Sequence, residues 1–149
     1  MEEELKHFLK HWFAGYMDGL VSLDTEQQDV FLSSCGQACA DSYTGELFRK
    51  AWKDAGGDIP RFLENLSVFF PEAEYVLVDK NKIQVNYTNC ACGLVIRGFV
   101  DNPMQCLCSL YNLKVNFQQA MERDINVQLQ KSILAGEDRC QFEVSWSMI

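Results

Sequence analysis

The sequence predicts an α+β fold in which N-terminal helices pack with an antiparallel sheet and one long helix lies in the C-terminal half. Three observations predict it. Apolar residues recur at helical spacing through roughly the first seventy positions, and from Glu74 the pattern shifts to two-residue alternation. The strand-like segments also come in pairs around short polar turns, the signature of antiparallel hairpins rather than crossover connections. With no linker, repeat or low-complexity stretch, residues 1–149 read as one domain, helical over 1–71 and sheet-and-helix over 72–149.

Each element has its own warrant. Leu5, Phe8, Leu9, Trp12, Phe13, Tyr16 and Leu20 form one stripe of a first helix, with Glu2 to Glu4 at the end where negative charge is favourable. Asp24 or Thr25 starts a second, since Gln27 and Gln28 stand where a capping box needs them, and it runs to about Tyr43. "GELFRKAWKDAGG" gives a third helix closed by glycines. "DIPRFLENLSVFFP" gives a fourth, with Asp58 as its cap, Pro60 in its first turn and Pro71 beyond its end. "EYVLVD" and "KIQVNYT" are strands around a polar turn. Asn102 before Pro103 opens a long helix to about Arg123, and "INVQLQKSI" and "RCQFEVSW" are strands around "LAGED".

Composition excludes several functions. The net charge is −8 and no Lys/Arg cluster exceeds two or three residues, which argues against nucleic acid and against an anionic membrane surface. No stretch is apolar for long enough to cross a bilayer, and "MEEELKHFLK" lacks the basic start and apolar core of a signal peptide, so a cytoplasmic location is expected. Seven cysteines are too few for a secreted disulfide scaffold and odd in number, so the default state is thiol.

The sulfurs are the main chemical signal. Cys90 and Cys92, then Cys106 and Cys108, form two Cys-x-Cys pairs; Cys35 and Cys39 share a helix face, and Cys140 alternates with Phe142, Val144 and Trp146. On a strand, residues i and i+2 share a face, so Cys90 and Cys92 present two sulfurs together if the strand reaches them. On a helix, i and i+2 are roughly 200° apart, so Cys106 and Cys108 reach one site only if Cys106 lies in an irregular first turn. That first turn also favours thiolate. Buried packing is the competing reading for every one of these cysteines. His7 and His11, i and i+4 beside Glu4, read as a solvated helix face.

The ending resembles two related families. Ser132, Ile133, Gly136, Cys140 and Phe142 match the Ser-Ile…Gly…Cys-x-Phe close of small domains akin to 4-vinyl reductase and to L-2-amino-thiazoline-4-carboxylate hydrolase, and "SSCGQACA" is similar to a helix of relatives of that hydrolase. The resemblance covers roughly the last 60 residues and that helix. It implies a ligand pocket between sheet and helices and a small-molecule ligand. The helix beginning at Pro103 must cover the sheet, so the pocket is expected where the two meet, floored by Cys108 and Tyr111 with Cys140 close by. Two functions follow. In one, the chain is a hydrolase acting on a C–N bond of a small ring: a thiolate of Cys106 or Cys108 adds to the C=N carbon while Arg97 holds the substrate carboxylate. In the other, it is a non-enzymatic sensor of a ligand or metal. Zinc, as in some 4-vinyl reductase sensors, would fall to Cys90, Cys92, Cys106 and Cys108. A second copy of the chain is an open alternative among partners.

Overall fold

The computed structural model describes residues 2–90 and 92–148. Helix α1 spans Glu2–Ser22, α2 Thr25–Cys39, α3 Gly45–Ala55 and α4 Ile59–Phe69; strands β1 (Ala73–Asp79) and β2 (Lys82–Tyr87) follow, then the short α5 (Gly93–Ile96), the long α6 (Gln105–Met121), β3 (Asn126–Lys131) and β4 (Cys140–Ser145). The expected elements are present. Asp24 caps α2 through a capping box: its carboxylate accepts from the Gln27 amide at 2.8 Å, and the Gln27 side chain accepts from the Asp24 amide at 3.3 Å.

Two boundaries differ from expectation. Helix α2 stops at Cys39 and passes into a π-helix, Ala40–Thr44, whose backbone stays right-handed on both sides, so α2, the π turn and α3 form one unbroken rod. Strand β2 ends at Tyr87, three residues before Cys90, and α5 intervenes where the alternating pattern suggested nothing helical.

All four strands are antiparallel, in the order β1-β2-β4-β3. Both hairpins form, the second turning near Gly136, whose φ of 94° suits glycine. One face of the sheet is apolar: Ile83, Val85, Phe142, Val144 and Val127 meet Phe48, Ala51, Phe62, Leu66, Leu113 and Phe117 from α3, α4 and α6. The other face is polar. Asn86 donates to Glu74 at 2.9 Å, and Gln141 to Gln130 at 2.6 Å. This is the one-sided sheet that period-two alternation predicts. A second, smaller apolar cluster gathers Met17, Leu20, Leu32 and Val100, with Phe13, Leu107 and Tyr111 against it.

Helices α2 and α6 cross in van der Waals contact at Gly36. A methyl there would stand 2.7 Å from Tyr111 Cβ and 2.8 Å from the Asn112 backbone nitrogen, so only glycine fits. This close approach fixes where the wall of the site stands.

Candidate functional site

A cavity of about 350 Å³ lies between the inner face of the sheet, the first half of α6 and the π turn. Tyr75, Tyr87 and Phe142 come from the strands. Phe48 and Phe70 close one side, and Cys106, Cys108, Asn112 and Asn116 descend from α6. The π turn and the end of α2 contribute Cys39, Tyr43 and Thr44. A π turn widens a helix locally and recurs at functional sites.

Six of the seven cysteines line this space: Cys39, Cys90, Cys92, Cys106, Cys108 and Cys140. Cys106 and Cys108 both reach it because the amides of Gln105, Cys106 and Leu107 bond three residues back, to Asn102, Pro103 and Met104. That tight first turn departs from the 100° step of a regular helix, which would have separated the two sulfurs. Cys90 and Cys92 arrive from the loop before α5 rather than from a strand. Cys106 Sγ lies 3.1 Å from Ser132 Oγ, the Ile133 amide donates to Cys140 Sγ at 3.4 Å, and Gln105 Nε2 donates to Cys92 Sγ at 3.7 Å. Cys35, about 40° around α2 from Cys39, faces Tyr16 at 3.9 Å and does not line the cavity.

Two residues expected at the ligand do not line the cavity. Tyr111 is turned toward the second apolar cluster, because Gly36 lets α2 press against α6 at that point. Arg97 is exposed at the end of α5. Among the described residues, no three His, Cys, Asp or Glu side chains converge closely enough to hold a metal ion. Cys90, Cys92, Cys106 and Cys108 share the wall of one cavity as free cysteines.

The electrostatics also differ from the sequence expectation. Burial pushes Cys108 up to about 12, with Cys35, Cys39 and Cys92 adding to the effect. Burial likewise raises Cys106, against an opposing hydrogen bond from Ser132, and it raises Cys39 and Cys90. Desolvation outweighs the helix terminus, so these groups are thiols at neutral pH and not thiolates. Tyr75 and Tyr87 are also raised, first by burial, with the nearby Glu72 carboxylate contributing. Glu72 is the one charged residue among the lining side chains; no Lys, Arg or His stands with it.

Sequence reasoning missed the polar corner. Asn116 is 1% exposed. Its amide donates to Thr44 Oγ1 at 3.2 Å and to Asn112 Oδ1 at 3.3 Å. The Thr44 hydroxyl has one proton and two acceptors at 3.4 Å, the Cys39 carbonyl and Asn116 Oδ1. When that proton goes to Cys39, Asn116 Oδ1 is free to accept from a ligand. The signal was visible: Asn116 interrupts the apolar positions Leu113, Phe117 and Ala120 on the buried side of α6. Nothing in the sequence marks the π turn that brings Thr44 to it.

No family model matches the chain, and none of the curated proteins matches it. Solved structures do. The phenol-responsive sensory domain of the transcription activator PoxR, in complex with phenol, is similar at a TM-score of 0.61 and 14% identity, over 92% of this chain and 73% of that one. A trafficking protein particle complex subunit 3 from Naegleria fowleri, covalently bound to palmitic acid, is similar at a TM-score of 0.53 and 10% identity, over 97% of this chain and 96% of that one. At these identities the likeness establishes the fold, an α+β architecture shared with both.

Proposed function

We propose that the chain is a small-molecule-binding sensor domain whose ligand is neutral, apolar in body and equipped with a hydrogen-bond donor. The observation that carries this is the cavity between sheet and α6, with its largely apolar wall, the Asn116 corner at one side and Glu72 as its single charge. Its volume is at the small end of the range for ligand pockets and suits a single ring with short substituents. An anion would meet a carboxylate and no counter-charge there. The two structural neighbours, one holding phenol and one palmitic acid, support an apolar-bodied ligand in this fold.

The hydrolase reading has less support from the same cavity. It needs a thiolate, and burial holds Cys106 and Cys108 protonated. It needs a carboxylate clamp, and Arg97 is exposed and absent from the cavity wall. It also needs a general base, and Glu72 is the one lining carboxylate, beside Tyr75 and Tyr87 rather than among hydrogen-bond partners of the α6 thiols.

The test is a thermal-shift and calorimetric panel of neutral phenols, anilines and indoles set against benzoate and 2-amino-thiazoline-4-carboxylate. Neutral rings should raise the melting temperature, by about 5–10 °C for a ligand at a hundred times its Kd. Asn116→Leu should weaken donors more than their methyl ethers. Turnover of the thiazoline carboxylate, lost in Cys106→Ala or Cys108→Ala, would overturn the sensor reading in favour of the hydrolase.

A further inference from the structure

The first two helices carry an apolar surface that the fold leaves open. Only the C-terminal half of α1 packs on the rest of the molecule, through Phe13 against Phe99 and through buried Met17 and Leu20. The N-terminal half extends beyond it. On that half Leu5, Phe8 and Trp12 follow one stripe and are 53%, 58% and 54% exposed. Beside it, the side of α2 away from α6 forms an open groove along Leu23, Val30, Phe31, Cys35 and Ala38, with Val30 66% exposed.

We infer that this surface is a homodimer interface in which the α1 stripe of each copy lies in the α2 groove of the other. Three arguments select a second copy as the occupant. The first is area. Leu5, Phe8, Trp12, Leu23, Val30 and Phe31 together expose about 600 Å² of apolar surface, which with a polar rim approaches the roughly 800 Å² per partner of a stable interface. The second is form: the chain carries both a projecting stripe and a groove, and a two-fold axis uses each twice, as an isologous contact requires. The third is low charge: Glu26 is the one charged residue lining the groove, and the stripe of Leu5, Phe8 and Trp12 carries none, as the core of a protein interface requires. An anionic membrane fits less well, because Glu2, Glu3 and Glu4 stand at the leading end of the same helix and the chain is acidic overall.

The experiment uses the full chain and two variants, Phe8→Lys and Val30→Glu, at exposed positions where the fold is indifferent to the change. Sedimentation equilibrium should show wild type as a dimer and each variant alone as a monomer with unchanged circular dichroism, its dimer Kd about a hundredfold weaker. An equimolar mixture of the two variants should recover a dimer. There the introduced ammonium of one copy faces the introduced carboxylate of the other, and the second contact is wild type on both sides. A monomeric wild type, variants that remain dimeric, or a mixture that stays monomeric each overturns the inference. If wild type is monomeric and co-sediments with phosphatidylcholine vesicles, the stripe belongs to a membrane surface instead.

Discussion

The cavity and the groove are built from the same residue types, apolar side chains and cysteines, and α2 contributes to both: Cys35 to the groove, Cys39 to the cavity. They differ in what closes them. The cavity has the sheet on one side, α6 on another, and a polar corner at Asn116. Among the described residues, none covers the groove, and Glu26 is its one charge. Apolar composition alone therefore does not mark a ligand site. Enclosure together with a directed polar group does, because only an enclosed polar atom discriminates between ligands that can and cannot pair with it.

That contrast can be broken most forcefully from the cavity floor. Phe142→Ala removes a 2%-exposed ring shared by the cavity and the main core, and should cost about 3–5 kcal/mol in urea denaturation. Val30→Ala, in the groove, should stay within about 0.5 kcal/mol at concentrations where the chain is monomeric. If the two costs were equal, the cavity would not be part of a packed interior.

Gly36→Ala probes the wall between the two regions. The added methyl meets Tyr111 and the α6 backbone, so α2 must move away from α6, at about 1–3 kcal/mol. A change below about 0.5 kcal/mol would show that this crossing is looser than the structure has it.

The last effect has no weight at neutral pH: it is a pH dependence confined to the cavity. Cys108 is held up to about 12 against an ordinary value of 9.0, so the native state favours the protonated thiol. Its contribution is fully present below pH 9.0 and is lost as pH rises toward 12, where the unfolded chain releases the proton first. Stability should fall across that window, and Cys108→Ala should flatten the slope. A slope unchanged by the substitution would place the thiol in a wetter setting.

Much of this was legible. Periodicity set the helices, alternation set the strands and their hairpins, and the capping pattern at Asp24 and Gln27 located α2. The gathering of sulfurs was foreseeable in part, since Cys106 needed an irregular first turn to join Cys108 and has one. The charge state was not, because the helix terminus is visible in sequence while the burial that outweighs it is a tertiary fact. Arg97 and Tyr111 stand away from the cavity wall for the same kind of reason. Tyr111 is drawn to the α2 side by a glycine 75 positions away in the chain, a contact local spacing cannot report.

The π turn has a further consequence, expressed as rotational phase. Leu32 and Gly36 on α2 and Phe48, Ala51 and Ala55 on α3 are all buried. At about 100° per residue, an uninterrupted α-helix would carry the second group roughly 100° around from the first. The wider turn at Ala40–Thr44 absorbs one residue and brings the two groups back onto one side of the rod. Removing one exposed residue from that turn, Ser42, would leave an ordinary α-helix with both groups already in phase. The chain could then fold without its extra residue, and a single deletion would separate the requirements of folding from those of the site: Leu32, Gly36, Phe48, Ala51 and Ala55 would keep their places, while the widened turn that carries Tyr43 and Thr44 at the cavity wall would be gone.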